Sequence, residues 1–416
     1  MQEIMVIEGG QALHGSVKIS GAKNAGLVLI AASIMADGET ILDNVPRICD
    51  TEVMVEILNE MGADVHWNDD ESLSICPPSN GFNHQTPYEL SKKLRASNLF
   101  LGALLARQGE ALVSLPGGCD IGSRPMDLHI KGVKALGAEI DIECGYIYAK
   151  SRQTHGARIY LDFPSVGATE NLMMMACKTP GGSIIENAAK EPEIVDLANF
   201  LNSMGAKVRG AGTDIIKIEG VPELKAGRYA IIPDRIEAGT YMIAAAISGG
   251  EVLVENVIPT HLHPITAKLQ ETGAIVSETD QGILVKAGEK ILKADIKTLP
   301  YPGFPTDMQS QMLALLALAD GTSVIVENVF ENRFQIVEEL NRMGAKIKLE
   351  GHTAVVEGTK SLYGARVKAT DLRAGAALIL AALAAKGETV IEDAIHIFRG
   401  YENIAQKLSN LGARIK

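Results

Sequence analysis

A short pattern with a Gly-Ala pair at its centre occurs six times along the 416 residues. The copies read LNEMGADV, VKALGAEI, LNSMGAKV, LQETGAIV, LNRMGAKI and LSNLGARI. Their glycines are Gly62, Gly137, Gly205, Gly273, Gly344 and Gly412, at intervals of 75, 68, 68, 71 and 68 residues. One match would mean little, but six at nearly constant spacing predict six copies of one structural unit that fill the chain.

Other features keep the same period. An apolar segment such as MIAAAIS or LILAALAA lies before each copy and is typical of a buried helix. A glycine and a β-type run such as GEVLVENV follow, and then an amphipathic helix that ends at the Gly-Ala pair, where glycine suits the C′ position. A hairpin closes the unit. We therefore predict an α/β protein of six βαβαββ repeats.

The closing strand of the hairpin is missing from the sixth repeat, because the chain stops at Lys416. A similar sequence, MVIEGG, stands at residues 5–10. We predict that this N-terminal strand completes the last repeat and that the repeats form two domains of three. One domain would contain residues 1–22 with 233–416 and carry the catalytic machinery, and the other residues 23–232. An open solenoid is the alternative.

Composition excludes several classes of partner. The net charge of −12 repels nucleic acid and anionic lipid, so we expect neither nucleic acid nor membrane as a partner. The N-terminus does not resemble a signal peptide, and the longest apolar run, residues 374–385, is too short to span a bilayer. Five scattered cysteines without metal-ligand spacing favour a reducing cytoplasm over disulfides or zinc.

The start of the first helix is polar in all six repeats. Capping of free backbone N–H groups accounts for Ser165, Thr306 and Asp371. Capping does not account for four cations, which are disfavoured at a helix N-terminus unless an anion lies there: Lys23, Arg95, Arg235 and Arg373. We therefore predict that the six helix starts face one cleft between the domains and bind anionic substrates there. Structural ion pairs are the alternative explanation.

A glycine-rich loop, LPGGCDIGSRPMDLH at residues 115–129, contains a cysteine. We predict that Cys119 is exposed and that a nearby cation such as Arg124 lowers the pKa of its thiol. Cys177, within the apolar stretch LMMMACK, is predicted to be inert core.

A series of longer motifs runs through the whole chain and includes GAKNAG, LRASN, LPGGC, SVGAT, EPEIVD, PDRIEAGT, FPTDMQ, FENRF, ATDLRAGAAL and RGYE. With these motifs the chain resembles, from end to end, the UDP-N-acetylglucosamine 1-carboxyvinyltransferase family. The resemblance implies an enolpyruvyl transferase fold, with two domains of three βαβαββ units as an inside-out α/β barrel.

The resemblance also implies a reaction. The family transfers the enolpyruvyl group of phosphoenolpyruvate to the 3′-hydroxyl of UDP-N-acetylglucosamine and releases phosphate through a tetrahedral ketal, the first committed step of peptidoglycan synthesis. Asp307 would be the base, and Cys119 or Lys23 the acid. Fosfomycin would be a covalent inhibitor at Cys119. No metal, no organic cofactor and no obligate protein partner is implied.

The binding residues are implied position by position. Those for phosphoenolpyruvate are Lys23, Asn24, Arg124, Arg373 and Arg399. Those for the sugar nucleotide are Asn24, Arg95, Arg124, Pro125, Met126, Asp127, Leu128, Ser165, Val166, Gly167, Asp307 and Val329. Met126, Glu170 and Tyr301 depart from residues found in other members, which leaves the chemistry intact but affects the finer uridine contacts.

Two other functions are open. The shikimate-pathway enolpyruvyl transferase is similar in fold and reaction but lacks the PGGC loop and the run from SVGAT to EPEIVD. A non-catalytic sugar-nucleotide binder would have the same fold, but we would then expect a degraded Cys119, Asp307 or Arg399, and all three are present.

Overall fold

The structure, a computed structural model, describes all residues except 1–3, 84, 116–120 and 123–124. In the described residues the strands are β1 (Ile4–Glu8), β2 (His14–Lys18), β3 (Thr40–Asp43), β4 (Asp64–Trp67), β5 (Leu73–Cys76), β6 (Glu110–Ser114), β7 (Ala138–Glu143), β8 (Tyr146–Ser151), β9 (Arg158–Tyr160), β10 (Gly182–Glu186), β11 (Lys207–Arg209), β12 (Ile215–Glu219), β13 (Arg228–Ala230), β14 (Glu251–Glu255), β15 (Ile275–Thr279), β16 (Gly282–Lys286), β17 (Ile296–Lys297), β18 (Thr322–Val326), β19 (Lys346–Glu350), β20 (Thr353–Glu357), β21 (Arg366–Lys368), β22 (Glu388–Glu392) and β23 (Arg414–Ile415).

The α-helices are α1 (Lys23–Ser33), α2 (Cys49–Glu60), α3 (Tyr88–Ser91), α4 (Phe100–Gln108), α5 (Asp127–Ala135), α6 (Val166–Lys178), α7 (Pro192–Ser203), α8 (Arg235–Ser248), α9 (His263–Glu271), α10 (Gln309–Leu316), α11 (Ile336–Arg342), α12 (Leu372–Ala384) and α13 (Ile404–Asn410). Short 3₁₀ segments are Arg95–Leu99, Pro259–Leu262, Thr306–Met308 and Ala394–Arg399.

The chain divides into two compact units. The C-terminal unit contains the described residues of 1–20 and 233–416 together with residues 121 and 122, and the N-terminal unit contains the remaining described residues up to 232. The sheets of the C-terminal unit have the strand orders β21-β22-β1-β23, β15-β16-β14-β2 and β17-β18-β20-β19. Those of the N-terminal unit are β13-β3-β5-β4, β11-β12-β10-β9 and β6-β8-β7. Among the described strands every sheet is open, and none closes into a barrel.

The element order follows the predicted repeat: strand, helix, strand, helix and hairpin recur through the chain. The six glycines of the marker all have left-handed backbone, with φ between 91° and 105°. L-residues with a side chain rarely adopt this conformation, so glycine ends the second helix of each repeat and turns the chain into the hairpin. In three copies an asparagine side chain also forms hydrogen bonds with both the backbone N–H and the carbonyl of the residue six positions later, as Asn59 does with Val65.

Strand β1 occupies the position of the missing hairpin strand. It pairs antiparallel with β22, from Ile4 opposite Glu392 to Glu8 opposite Glu388, and with β23 through Ile7 opposite Ile415. The sequence-based pairing of residues 5–10 with the last repeat is therefore confirmed.

Two strands belong to a different unit from the helix that follows them in the sequence. β2 precedes α1, yet it pairs in parallel with β14 of the C-terminal unit. β13 precedes α8, yet it pairs in parallel with β3 of the N-terminal unit. One sheet of the C-terminal unit therefore contains the strand that precedes α1, and one sheet of the N-terminal unit contains the strand that precedes α8.

The first helices of the repeats form the centre of each unit. In the C-terminal unit α8, α10 and α12 pack against one another, and nearly all of their residues are buried. In the N-terminal unit α4 packs against α6 and α1. Within the described residues, no helix combines the length and the apolarity needed to cross a membrane.

Candidate functional site

In the C-terminal unit, polar residues lie at or just before the N-terminal ends of α8, α10 and α12. The Asp371 carboxylate accepts hydrogen bonds from the backbone N–H groups of Arg373 and Ala374 at 2.8 and 3.1 Å, as predicted for a cap. The prediction that Thr306 is a cap is wrong. Its hydroxyl donates to the buried Glu327 carboxylate at 3.0 Å, because a 3₁₀ turn begins at this residue.

Asp307 lies between two buried guanidinium groups. Arg373 Nη2 donates to Asp307 Oδ2 at 2.8 Å, and Arg333 Nη2 donates to Asp307 Oδ1 at 2.6 Å. The arginine side chains are 5% and 3% exposed, whereas the Asp307 side chain is 26% exposed. Burial on its own would raise the pKa of the Asp307 carboxyl, but the charges of Arg373 and Arg333 outweigh it and hold that pKa well below its ordinary value.

Behind Arg373 lies a buried polar group. Arg373 Nη1 donates to the Tyr401 hydroxyl at 3.3 Å, and that hydroxyl is 2.9 Å from Thr240 Oγ1. Gln311 Nε2 donates to the same hydroxyl at 3.2 Å. This cluster connects the starts of α8, α10 and α12 to the segment after the last 3₁₀ turn.

The remaining C-terminal residues of the predicted site lie around these starts. Arg235 lies 5.6 Å from the centre of the Tyr301 ring, and its charge contributes to the lowered pKa of Asp307. Arg399 ends a 3₁₀ segment and is half-buried. The backbone N–H of Val329 donates to Glu327 Oε1 at 2.8 Å.

In the N-terminal unit, Lys23 starts α1 and is nearly buried. Its ammonium group is 2.6 Å from the Asp50 carboxylate. Asn24 is exposed, and its Nδ2 donates to Glu193 Oε1 at 3.4 Å. Lys23 and Arg373 thus both make the structural ion pairs that the sequence left as the alternative.

His129 lies at the centre of a second group in the N-terminal unit. Asn171 Oδ1 accepts the Gly102 N–H at 2.6 Å, so its Nδ2 is the donor to His129 Nδ1 at 2.9 Å. This arrangement places the histidine proton on Nε2. Burial, with the charge of the nearby Arg95, lowers the pKa of His129 to about 3, so the ring is neutral.

The start of α6 contacts the same histidine. A Cβ added to Gly167 would lie 3.2 Å from His129 Cε1, so a side chain there would press on the ring. Ser165 caps α6 by accepting the Ala168 N–H at 3.3 Å, as predicted. Arg95, His129 and the turn at residues 165–167 are therefore brought together.

The neighbouring residues of the predicted nucleotide site differ in exposure. Pro125 and Asp127 are exposed, and Leu128 and Val166 are half-buried. Met126 is buried, and its sulfur accepts a hydrogen bond from Asn98 at 3.3 Å. Cys119 and Arg124 lie outside the described residues.

The described cysteines are all free thiols. Cys177 is completely buried, which confirms the core prediction, and burial raises the pKa of its thiol to about 12. Cys144 is exposed.

Sequence reasoning gave no role to Arg333, Tyr401 or His129. Arg333 and Tyr401 stand in two motifs that supported the resemblance, FENRF and RGYE, and His129 is the last residue of the glycine-rich sequence 115–129. The signal was therefore present, but the partners lie 26 or more residues away in sequence and appear only in the folded chain.

Comparison with known proteins assigns this architecture. The family described as EPSP synthase (3-phosphoshikimate 1-carboxyvinyltransferase) matches residues 7–408. The enolpyruvyl transferase NikO from Streptomyces tendae has a similar structure, with a TM-score of 0.89 and 26% identity over 99% of this chain and 98% of that one. EPSP synthase from Acinetobacter baumannii shares the fold, with a TM-score of 0.76 and 18% identity over 99% of both chains. The chain therefore has the enolpyruvyl transferase fold.

Two relatives are much more similar in sequence. UDP-N-acetylglucosamine 1-carboxyvinyltransferase 2 of Carboxydothermus hydrogenoformans is 56% identical and covers 100% of this chain and 99% of its own length. UDP-N-acetylglucosamine 1-carboxyvinyltransferase 1 of Caldanaerobacter subterraneus is 54% identical with the same coverage. The chain belongs to the EPSP synthase family and, within it, to the UDP-N-acetylglucosamine 1-carboxyvinyltransferases.

Proposed function

We propose that the protein transfers the enolpyruvyl group of phosphoenolpyruvate to the 3′-hydroxyl of UDP-N-acetylglucosamine, in the cytoplasm, as the first committed step of peptidoglycan synthesis. The observation that carries the proposal is the 54–56% identity, over the whole chain, to relatives named for this activity. The arrangement of Asp307 between Arg373 and Arg333 supports it, because an acid–base group beside fixed cations suits an anionic donor.

The reaction proceeds by addition and elimination. The sugar oxygen bonds to C2 of phosphoenolpyruvate and loses its proton to Asp307, while C3 gains a proton from Cys119 or Lys23. The tetrahedral ketal then expels phosphate and loses a proton from C3, which restores the double bond. All three proton transfers require a positioned acid or base.

The two arginines make Asp307 a weak base before substrate arrives. A carboxylate of the donor that binds Arg373 would share its charge and weaken the ion pair with Asp307. The pKa of Asp307 would then rise toward its ordinary value. We therefore expect donor binding to activate the base.

The proposed ligand contacts follow the family motifs. For the donor we propose Lys23, Asn24, Arg124, Arg373 and Arg399. For the sugar nucleotide we propose Asn24, Arg95, Arg124, Pro125, Met126, Asp127, Leu128, Ser165, Val166, Gly167, Asp307 and Val329. The group around His129 supports the nucleotide assignment, because Arg95 and the turn at residues 165–167 lie together beside it.

A phosphate-release assay tests the function. The protein is mixed with phosphoenolpyruvate and either UDP-N-acetylglucosamine or shikimate 3-phosphate, and the product is weighed by mass spectrometry. We expect phosphate and an enolpyruvyl sugar nucleotide with the first acceptor only. Release with shikimate 3-phosphate would identify the shikimate-pathway activity, and release with neither would favour a non-catalytic binder.

Fosfomycin tests the role of the loop cysteine. The epoxide requires an accessible thiolate, so we expect alkylation of Cys119 that is faster with UDP-N-acetylglucosamine present. Peptide mass spectrometry after brief exposure would locate the adduct. Exposed Cys144 is the internal control: equal labelling of Cys144, or inactivation of a Cys119→Asp variant, would contradict the assignment. That variant should keep some turnover, because a carboxylic acid also donates a proton.

A further inference from the structure

Tyr401 is a buried residue that makes two kinds of contact with Arg373. It is 2% exposed, and its hydroxyl accepts a hydrogen bond from Arg373 Nη1 at 3.3 Å. The guanidinium carbon of Arg373 also lies 5.6 Å from the centre of the Tyr401 ring, within the range of a cation–π contact. Among the described residues, the other hydrogen-bond partner of the arginine head group is Asp307, through Nη2 at 2.8 Å. Tyr401 and Asp307 therefore hold the two ends of the same guanidinium.

The hydrogen bonds beyond Tyr401 have a fixed direction. Thr240 Oγ1 donates to the backbone carbonyl of Ile236 at 2.8 Å. A hydroxyl has one proton, so Thr240 must accept in its 2.9 Å contact with Tyr401. Tyr401 thereby uses its own proton and presents only lone pairs to Arg373 and to Gln311 Nε2. The chain runs one way, from Arg373 through Tyr401 and Thr240 to a carbonyl of α8.

We propose that Tyr401 is a positioning residue that, through this chain, orients the Arg373 guanidinium for the carboxylate of the donor substrate. The inference rests on the proposed function, in which Arg373 binds that carboxylate. Because the chain ends on the backbone of a buried helix, it is a rigid support. Without it, the guanidinium would be drawn toward Asp307, which is the proposed base.

Replacement of the hydroxyl provides the first test. In Tyr401→Phe we expect the KM for phosphoenolpyruvate to rise roughly 10- to 100-fold, the change that follows from losing a hydrogen bond to a charged group. The KM for UDP-N-acetylglucosamine should stay within about threefold, and kcat should fall less than the donor KM rises. A merely structural loss would not separate the two substrates.

Tyr241→Phe is the matched control. Tyr241 is equally buried in α8, but its hydroxyl has no hydrogen-bond partner among the described residues. The same loss of one oxygen should therefore leave both KM values unchanged.

Thr240 tests the chain without touching Arg373. Thr240→Val has nearly the same shape but cannot accept the Tyr401 proton, so that proton must turn toward the arginine or the glutamine. We expect the donor KM to rise about 3- to 10-fold, because Tyr401 loses the one neutral hydrogen bond that it donates. Thr240→Ser keeps the hydroxyl and should restore the wild-type value. If Tyr401→Phe does not fold, the two Thr240 variants still test the proposed role of Tyr401.

The outcomes distinguish a failure of the proposed function from a failure of the proposed role of Tyr401. A wild-type protein that releases no phosphate from phosphoenolpyruvate and UDP-N-acetylglucosamine overturns the proposed function and this inference with it. An active wild type with an unchanged donor KM in Tyr401→Phe, or equal effects of Thr240→Val and Thr240→Ser, overturns the inference alone.

Discussion

Asp307 illustrates how single residues acquire their chemistry from distant parts of the chain. Its carboxylate is held by Arg333 and Arg373, which lie 26 and 66 residues further along. The family resemblance implied that Asp307 is the base and that Arg373 binds the donor, but not that the two residues form an ion pair. The Asp307 carboxylate is therefore ion-paired with both arginines, and its proposed role as a base depends on a competing anion.

Asp307→Asn should reduce kcat by about 100- to 10,000-fold, because an amide cannot take the proton of the sugar hydroxyl. The KM for UDP-N-acetylglucosamine should change only a few-fold, since a base matters in the transition state more than in the ground state. Steady-state phosphate release measures both. Turnover close to wild type would remove Asp307 from this role.

The control for this variant is Asp320→Asn, which alters an exposed ion pair with Lys290 in the same unit. It should leave turnover and stability nearly unchanged, because exposed pairs contribute little. Circular dichroism is needed beside the assay, since Asp307→Asn leaves two buried arginines without their carboxylate and so lowers stability.

His129 should make stability depend on pH in a predictable direction. Its pKa is lowered to about 3 in the folded protein, so between that value and about 6.5 the unfolded chain binds a proton that the folded chain does not. This histidine therefore destabilises the fold as the pH falls through 6.5. On acidification from pH 7 to pH 5, His129 should lower the free energy of unfolding by about 2 kcal/mol.

The test is urea unfolding of wild type and His129→Gln at pH 7 and 5, followed by the fluorescence of Trp67. This is the only tryptophan of the sequence and lies in β4 of the N-terminal unit. The stability lost on acidification should be about 2 kcal/mol smaller in the variant. An identical loss in both, or the same relief from replacing exposed His155, would contradict the assignment.

At the scale of elements, the repeat is visible because each turn needs a particular residue. The marker glycines have left-handed backbone in every copy, and the buried first helices carry their polar residues at the N-terminal end. Aspartate or serine caps three of these helices, α6, α8 and α12. Thr306 shows the limit of this reasoning, because whether a hydroxyl caps depends on the local turn and on a distant carboxylate.

Gly205→Ala should isolate the cost of the left-handed turn. Gly205 has φ of 101°, and an added Cβ would meet no atom within 4 Å. The variant should therefore lose about 1–2 kcal/mol through backbone strain alone. Gly227 also has open space around a Cβ but no left-handed backbone, so Gly227→Ala should be neutral or slightly stabilising.

Both glycines belong to the N-terminal unit, so the Trp67 signal in urea unfolding reports on them under the same conditions. Equal stability of the two variants would show that the left-handed backbone at Gly205 does not make an alanine there destabilising.

At the scale of the whole molecule, the chain is held together by strands that pair far from their sequence neighbours. β1 lies between β22 and β23, and its Met5 and Ile7 side chains are almost completely buried. β2 and β13 each lie at the edge of a sheet and pair with a strand that is distant in the sequence, β2 with β14 and β13 with β3. The C-terminal unit therefore depends on residues at both ends of the sequence.

A circular permutant tests this dependence. Because β23 and β1 are antiparallel neighbours, residues 1–9 placed after Lys416 through a short glycine-serine linker would form a hairpin with β23. We expect a chain that begins at Gly10 and carries this addition to fold and to keep its turnover. Thermal unfolding by circular dichroism and the phosphate-release assay measure both.

The matched deletion lacks residues 1–9 altogether. It should be destabilised by several kcal/mol, since each buried apolar side chain contributes about 1.5–3 kcal/mol and the flanking strands lose their hydrogen bonds. A deletion as stable as the full chain would show that β1 is not part of the cooperative fold.

The periodic part of this protein could be predicted from the sequence: six repeats, their order of helices and strands, the turn at each marker glycine and the partner of the N-terminal strand. These features are local or repeated, so composition, spacing and backbone preference predict them. The family resemblance supplied the proposed site residues position by position. The folded structure was needed to show the partners of β2 and β13, the pairing of Asp307 with two arginines, the neutral state of His129 and the support of Arg373 by Tyr401. Those depend on groups that are far apart in sequence and become partners only when packing removes them from water, where an unpaired polar group is costly.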